Sequence, residues 1–192
     1  ESGQKNLKNR AKFIYLISPT RIKDDSFFEI LNKLLKTKKV KFFQLRLKKT
    51  HTKTILNISK KVKNICKYNK VKFIINDNPI IAKKVMADGC HLGQSDMNLS
   101  EARKILKNKL IGITCHNSIK HAREATKAGA DYIAVGAFNH TKTKKIKYRA
   151  SLNDLKKIRK ITNLKIVAIG GINNQNYKKL LLNKADFLAI SS

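Results

Sequence analysis

Side chains that can bind phosphate groups follow a predicted strand near residue 45. Alternation along the segment QLRLK at 44–48 places Gln44, Arg46 and Lys48 on one side of the chain. Two neighbouring cations need an anionic partner. The chain has 12 Asp+Glu against 43 Lys+Arg, which makes a structural ion pair a less available explanation. We therefore expect Arg46 and Lys48 to bind phosphate groups of a ligand.

Two carboxylates lie directly after the next two predicted strands. Asp77 belongs to the segment NDNP at 76–79, and Asp96 belongs to the segment GQSD at 93–96. Mg²⁺ is commonly held by one or two carboxylates, with waters and substrate phosphate oxygens in its other positions. The alternative is that each Asp caps a following helix, one ahead of Pro79 and the other near Ser100. The cations after the preceding strand favour the metal site.

A second phosphate-binding corner is predicted close to the last residues. Gly170-Gly171 precedes a predicted helix, and glycines there let backbone N–H groups approach an anion at the helix N-terminus. Ser191 follows the last predicted strand, where it would complete the phosphate corner that barrels of this type carry.

The same strand ends offer few side chains suited to acid–base chemistry. For His91 and His116, a hydrogen-bonded structural histidine is the alternative to a catalytic one. Ser191 and Cys115 lack partners that would make them nucleophiles. Two phosphate-binding corners and Mg²⁺ without a general base suit the departure of a pyrophosphate group.

Short β-branched runs alternate with longer helical patterns and would position these side chains. The predicted strands are Phe13–Ile17, Val40–Leu45, Lys72–Ile75, Gly89–Leu92, Leu110–Thr114, Asp131–Val135, Lys165–Ile169 and Asp186–Ile190. Amphipathic segments between them include Ser26–Leu35, Thr54–Tyr68, Ser100–Leu106, Ser118–Ala128, Leu152–Ile161 and Asn174–Leu182. Eight apolar strands alternating with seven helices predict an α/β fold, a single (β/α)₈ TIM barrel rather than an open sheet.

The whole chain, residues 1–192, is expected to form this one domain, with residues 1–10 as a flexible N-terminal segment. The sequence stops at Ser192, directly after the eighth strand, so the eighth outer helix is expected to be missing from it. Ala-Asp precedes three strands, at 87–88, 130–131 and 185–186. These aspartates would lie at the N-terminal end of the barrel, where the expected role is structural.

The composition restricts the class of protein. The 42% hydrophobic content predicts a folded chain, and no apolar run is long enough to cross a membrane. Three cysteines without metal-type spacing indicate a reducing, cytoplasmic location. The net charge of +31 invites a nucleic-acid role, but only seven of the 43 basic residues are Arg. We therefore interpret the charge as a solvated, lysine-rich surface and expect no nucleic-acid partner.

A set of motifs, in order from the second strand to the end, resembles the thiamine phosphate synthase family. The motifs are QLRLK at 44–48, FIIND at 73–77, ADGCHLGQSD at 87–96, IGITCH at 111–116, GADYIAVGAF at 129–138, TKTKK at 141–145, VAIGGI at 167–172 and ADFLAISS at 185–192. The resemblance implies that hydroxymethylpyrimidine pyrophosphate and thiazole phosphate are joined into thiamine phosphate, with Mg²⁺-assisted, dissociative loss of pyrophosphate.

The resemblance also implies roles for individual residues. Pyrophosphate would be bound by Arg46, Lys48, Asn76 and Lys144, of which Arg46, Lys48 and Lys144 are the expected catalytic cations, and Mg²⁺ by Asp77 and Asp96. Gln44, His91 and Thr114 would face the pyrimidine, and the thiazole phosphate would be held by Thr141, Thr143, Gly171, Ile190 and Ser191. The small-molecule partners are thus the two substrates, and a homodimer is one of the assemblies expected of such barrels.

Three positions depart from the family pattern. Leu47 replaces an acidic residue but should point away from the barrel mouth by alternation, and Ala137 and His140 replace prolines in the loop after the sixth strand. Two alternatives remain open: a thiazole tautomerase relative that uses His116, and a catalytically silent phosphate-binding or RNA-binding barrel. The intact Asp77 and Asp96 argue against the tautomerase.

Overall fold

Eight parallel strands form a closed barrel in the computed structural model, which describes residues 12–139 and 148–191. The strands are β1 Ile14–Ile17, β2 Val40–Leu45, β3 Lys72–Asn76, β4 Gly89–Leu92, β5 Leu110–His116, β6 Tyr132–Gly136, β7 Lys165–Ile169 and β8 Phe187–Ser191. They follow one another in chain order, and β8 closes the barrel against β1. This confirms the predicted (β/α)₈ fold, whereas the predicted flexible segment 1–10 lies outside the described residues.

Seven helices lie between the strands in the described part of the chain. They are α1 Ser26–Lys36, α2 Thr52–Tyr68, α3 Pro79–Lys84, α4 Leu99–Leu106, α5 Ile119–Ala128, α6 Leu152–Ile161 and α7 Tyr177–Leu182. Side-chain oxygens of Asn78, Asn98, Ser118 and Ser151 cap α3, α4, α5 and α6 by accepting N–H groups of the first turn. None of these seven helices is long and apolar enough to cross a bilayer.

Most predicted boundaries agree with the structure to within one or two residues. The strands β2, β4 and β7 have the predicted bounds. Strand β5 continues to His116, two residues beyond the predicted end. The last helix begins at Tyr177, three residues later than predicted, because the polar residues before it form a turn in which the Asn173 side chain accepts from the backbone N–H groups of Gln175 and Asn176.

The strands separate two apolar cores. Inside the barrel, aromatic side chains dominate, with Tyr15, Phe42 and Tyr132 packed against Ile74 and Val167. Between the barrel and the helices lies a larger core of Leu, Ile, Val and Ala side chains. Leu47 packs against this outer core, which confirms that it points away from the barrel mouth.

The carboxylates of the Ala-Asp repeat connect neighbouring strands at the N-terminal end of the barrel. Asp88, Asp131 and Asp186 each accept a backbone N–H from the start of the preceding strand. The donors are Phe73, Ile111 and Ile166, at 2.8, 2.8 and 2.9 Å. Arg103 adds an ion pair to Asp131 at 2.8 Å, and Arg159 adds one to Asp186 at 3.1 Å. The predicted structural role of the three aspartates is therefore confirmed.

Candidate functional site

The C-terminal ends of the strands bring the predicted site residues to one mouth of the barrel. In the described part of the chain these residues are Gln44, Arg46, Lys48, Asn76, Asp77, His91, Asp96, Thr114, Gly171, Ile190 and Ser191. The predicted Thr141, Thr143 and Lys144 lie outside the described residues, as does His140. The site therefore has a described half, built on β2 to β5, and a second corner on β7 and β8.

Lys48 has a protein partner, contrary to the expectation from the shortage of acids. Its Nζ lies 2.6 Å from Asp77 Oδ2, and both side chains are about two-fifths exposed. The polypeptide brings these groups together because β2 and β3 are neighbours in the barrel. The ion pair therefore places a cation beside the first of the two predicted metal ligands.

Arg46 is held by its backbone. Its N–H donates to Ser18 Oγ at 2.8 Å, and Ser18 is buried at the end of β1. Within the described ranges, the guanidinium makes no hydrogen bond or ion pair with another residue. It is thus available to an anion from solution. Sequence reasoning missed the contribution of Ser18, which follows the β1 motif IYLI.

Asp77 and Asp96 lie side by side. Burial raises the pKa of Asp96, and the charge and hydrogen-bonding reach of the Asp77 carboxyl group raise it further, while the Gly93 N–H, at 2.7 Å from Asp96 Oδ2, opposes the shift. Asp77 is paired with Lys48 and lies close to Asp96. One cation and two carboxyl groups are therefore close together at the mouth of the barrel.

Neither Asp caps a helix. The caps of α3 and α4 are Asn78 and Asn98, each one or two residues further along the chain. The capping alternative for Asp77 and Asp96 is therefore wrong. Asp77 instead has a left-handed backbone, with φ of 66°, and its N–H donates to the His91 carbonyl at 2.8 Å. This conformation turns the chain sharply at the end of β3.

The donor set fits Mg²⁺ better than a metal that needs a full protein cage. No group of three or more His, Cys, Asp or Glu side chains able to hold a metal exists among the described residues. Two carboxylates at an exposed mouth are the protein ligands that Mg²⁺ commonly uses when substrate phosphate and water fill its other positions. Asp77 and Asp96 are the two residues that would hold such an ion.

Below the mouth, five polar side chains form one hydrogen-bonded chain across the barrel, here termed the buried relay. Gln44 Nε2 donates to Tyr15 Oη at 2.9 Å, and the Tyr15 and Tyr132 hydroxyls are 2.6 Å apart. His91 Nδ1 lies 2.9 Å from Tyr132 Oη, and His91 Nε2 lies 2.8 Å from Thr114 Oγ1. The structure therefore joins all three predicted pyrimidine-facing residues, Gln44, His91 and Thr114.

Burial determines the ionisation of this relay. It lowers the pKa of His91 to about 4 and raises the pKa of both tyrosines, so all three are neutral near pH 7. His91 is thus a hydrogen-bonded interior histidine and is poorly suited to act as a proton acceptor. Tyr15 and Tyr132 were not predicted as site residues. The sequence offered a partial signal, since each is a hydroxyl-bearing aromatic residue at the start of an apolar strand, but it does not show that the two hydroxyls meet.

The second corner is built by a tight backbone rather than a helix terminus. Gly170 and Gly171 have φ of 88° and 69°, and a Cβ on either would overlap Ala137 or Asn139. Because α7 begins only at Tyr177, the expected anion site at its N-terminus directly after the glycines is wrong. Ile190 and Ser191 are exposed at the end of β8, next to β1.

Two further groups line the mouth near β5. The His116 ring stacks on Tyr148, with ring centroids 4.1 Å apart, and Gln94 Nε2 donates to the Thr114 carbonyl at 2.6 Å. Cys115 is buried as a free thiol, and burial raises its pKa to about 12, which excludes an activated thiolate.

Comparisons with known proteins show what the chain is similar to. The family model described as thiamine monophosphate synthase matches residues 14–192. The chain is 63% identical over 187 residues to the thiamine-phosphate synthase of Pelagibacter ubique, covering 97% of this chain and 90% of that protein. It is 40% identical over 153 residues to the thiamine-phosphate synthase of Nitrosomonas eutropha, covering 79% and 72%. The solved thiamine phosphate pyrophosphorylase of Pyrococcus furiosus superposes with a TM-score of 0.84 at 31% identity, covering 97% and 88%.

Proposed function

The chain belongs to the thiamine monophosphate synthase family, and from this premise we propose that it joins hydroxymethylpyrimidine pyrophosphate to thiazole phosphate. The products are thiamine phosphate and pyrophosphate, so the enzyme is a transferase of a substituted methyl group. The observation that carries the proposal is the cluster of Asp77, Asp96 and Lys48 at the mouth of the barrel. Such a cluster suits a substrate whose reacting end is a pyrophosphate.

The pyrophosphate would be bound at the ends of β2 and β3. Among residues 12–139 and 148–191, the Arg46 guanidinium has no hydrogen-bond or ion-pair partner. Lys48 lies 2.6 Å from Asp77, from where it would bind a phosphate oxygen. Asn76 ends β3, directly before Asp77. Lys144, outside the described residues, is assigned to the same group from the sequence. Together these side chains would stabilise the negative charge of the leaving group.

We assign Mg²⁺ to Asp77 and Asp96. When bound, Mg²⁺ would neutralise charge on the pyrophosphate oxygens. The proximity of the two carboxylates supports the assignment, because their mutual repulsion would be relieved by a cation between them. The Gly93 N–H donates to Asp96 Oδ2 at 2.7 Å, so the other carboxylate oxygen of Asp96 would be the one to bind the ion.

The reaction needs no general base. The bond between the pyrimidine methylene carbon and the pyrophosphate oxygen breaks, and its electron pair leaves with the oxygen. The lone pair of the thiazole nitrogen then forms the new carbon–nitrogen bond, so no proton is transferred. The protein contributes position and charge stabilisation. The neutral relay and the inert thiol at this mouth are consistent with such a reaction.

The thiazole phosphate would occupy the second corner. Gly171 offers backbone in a conformation that allows close approach. Ile190 and Ser191 are exposed at the end of β8, the strand next to β7. Thr141 and Thr143 are assigned to this phosphate from the sequence alone. This arrangement would separate the two phosphate-bearing ends of the substrates across the mouth.

We also propose a cellular location, the class of partners and an assembly for this enzyme. Three buried free thiols support a reducing, cytoplasmic location. The substrates are small molecules, and the predominance of Lys over Arg argues against a nucleic-acid partner. A homodimer remains the assembly proposed for this barrel.

The decisive experiment measures pyrophosphate release from hydroxymethylpyrimidine pyrophosphate plus thiazole phosphate, with and without Mg²⁺. We expect release that requires both substrates and Mg²⁺. Folded protein that releases no pyrophosphate would contradict the proposal. Release without added Mg²⁺, in the presence of a chelator, would overturn the metal assignment alone.

A further inference from the structure

The buried relay has a direction that its chemistry imposes. Each tyrosine hydroxyl has one proton to donate, and a neutral imidazole has one donor and one acceptor nitrogen. As Gln44 Nε2 donates to Tyr15, the Tyr15 hydroxyl donates to Tyr132, and Tyr132 donates to His91 Nδ1. His91 Nε2 then donates to Thr114 Oγ1.

The two ends of the relay therefore have opposite hydrogen-bonding character. Gln44 donates an N–H to Tyr15 within the relay. The Gln44 Oε1 makes no hydrogen bond to another residue in the described ranges, so this oxygen is available as an acceptor. Thr114 receives a hydrogen bond from His91, which leaves its own O–H available as a donor. This polarity depends on the Gln44 amide orientation in which Nε2 faces Tyr15, because rotating the amide by 180° would exchange the donor and acceptor ends.

The relay is sealed, which makes this coupling obligatory. Tyr15, Gln44, Tyr132 and His91 are 1, 4, 3 and 7% exposed. A buried hydroxyl left without a partner is destabilising, so a single reversed bond would leave one group of the relay unsatisfied. Outside the relay, Ser59 Oγ is the buried side-chain oxygen without a partner among the described residues.

A glycine makes room for the central hydroxyl. Gly112 lies on β5 two residues before Thr114, and a Cβ at this position would overlap the Tyr132 ring and its hydroxyl oxygen. Only glycine at position 112 leaves enough space for the Tyr132 hydroxyl inside the barrel. A purely apolar filling role would not require the oxygen of Tyr132 at this place.

We propose that Tyr15 and Tyr132 are positioning residues that set the hydrogen-bond polarity of Gln44 and Thr114 toward the pyrimidine. Resting on the proposed function, this assigns a specificity role: the mouth presents one acceptor and one donor to the substrate edge. An aminopyrimidine has the matching pattern, since its amino group donates and the adjacent ring nitrogen accepts. An oxo analogue has the inverse pattern, with an N–H donor beside a carbonyl acceptor.

The test compares Tyr132→Phe and Tyr15→Phe with wild type, using the amino substrate and the pyrophosphate analogue that carries an oxo group instead. Each substitution keeps the ring and removes the hydroxyl that transmits the polarity. We expect the preference for the amino substrate, as a ratio of kcat/KM values, to fall about tenfold, the equivalent of one lost neutral hydrogen bond. KM for thiazole phosphate should be unchanged. Tyr68→Phe, at an exposed tyrosine, is the matched control.

The outcomes separate the two levels of inference. Wild type without pyrophosphate release would contradict the proposed function. An active wild type, with folded variants that retain the full preference for the amino substrate, would overturn the relay. Equal increases in KM for the amino substrate and for its oxo analogue would also overturn the relay, since they would indicate a general structural effect. If Tyr132→Phe does not fold, Tyr15→Phe decides the outcome, because it interrupts the same relay one bond earlier.

Discussion

The two ends of the barrel use carboxylates in opposite ways. At the N-terminal end, Asp131 and Asp186 each accept a backbone N–H from a neighbouring strand and pair with an arginine. At the C-terminal end, Asp77 and Asp96 lie beside one another and share Lys48 as their nearby cation. The first arrangement satisfies every charge within the protein, whereas the second leaves like charges together.

This difference separates stability from chemistry within one fold. A charge that is fully paired inside the protein gains nothing from a ligand, and its loss weakens folding. Two adjacent carboxylates raise the free energy of the unliganded protein, and a bound cation would lower it again. The same residue type is therefore structural at one end of each strand and available for binding at the other.

The largest expected effect is the loss of turnover on removing a carboxylate at the C-terminal end. Asp77→Ala and Asp96→Ala should each lower kcat by about 10³-fold or more, because the leaving pyrophosphate loses its metal-dependent stabilisation. Pyrophosphate release over a range of Mg²⁺ concentrations measures this, with Glu29→Ala on α1 as the control. Normal activity with unchanged Mg²⁺ dependence would remove Asp77 and Asp96 from the metal site.

A second effect concerns pH and the buried relay. The pKa of His91 falls from 6.5 to about 4 on folding, so the unfolded chain binds more protons in that interval. The corresponding stability is fully present above pH 6.5 and is lost as the pH falls toward 4, by about 3 kcal/mol. Urea unfolding of wild type and His91→Gln between pH 4 and 7.5 measures it. The variant should show a flatter pH dependence, and equal slopes would contradict this origin.

A smaller effect should follow from breaking the carboxylate network at the N-terminal end. Asp186→Ala removes the acceptor for Ile166 N–H and the ion pair with Arg159, and should lower the free energy of unfolding by about 2 kcal/mol. Its kcat should stay within twofold of wild type. Urea unfolding and the pyrophosphate assay together test this. A large fall in kcat without a change in stability would contradict a purely structural role for the carboxylates at the N-terminal end of the barrel.

The smallest effect has the opposite sign. Burial, with the neighbouring Asp77, raises the pKa of Asp96 on folding. The stability contributed by this group is therefore fully present below pH 3.8 and is lost as the pH rises through the raised pKa. Asp96→Asn should therefore raise the free energy of unfolding near pH 7 by less than about 1 kcal/mol while abolishing turnover. Below pH 3.8, where the Asp96 carboxyl is protonated in both states, the gain should disappear. Thermal unfolding in the presence of a chelator measures it, and a destabilised variant at pH 7 would contradict a cost of ionising Asp96 from burial and from Asp77.

Much of the barrel was predictable because its strands are short, continuous apolar runs separated by helical patterns. The bounds of β2, β4 and β7 follow directly from that contrast. The start of α7 was harder to predict, because the asparagines before it form a turn through side-chain hydrogen bonds that compete with a helix.

The site was predictable only in part. Asp77 and Asp96 stood out because polar residues at strand ends share one mouth in a barrel. The ion pair between Lys48 and Asp77 was not expected, because a low overall count of acids says nothing about local pairing. The relay was missed because alternation places Tyr15 and Tyr132 inside the barrel but does not indicate that β1 and β6, three strands apart, bring their hydroxyls together.

The closure of the barrel by β8 has a consequence for synthesis of the chain. Ile14 in β1 pairs with Leu188 in β8, so one edge of the first strand finds its partner only when the last strand has been made. At ordinary translation rates this interval lasts on the order of 10 to 30 s. During that time the nascent chain carries an unpaired apolar β-edge, which is the feature that aggregation exploits. The net charge of +31 would oppose association of such chains until β8 emerges.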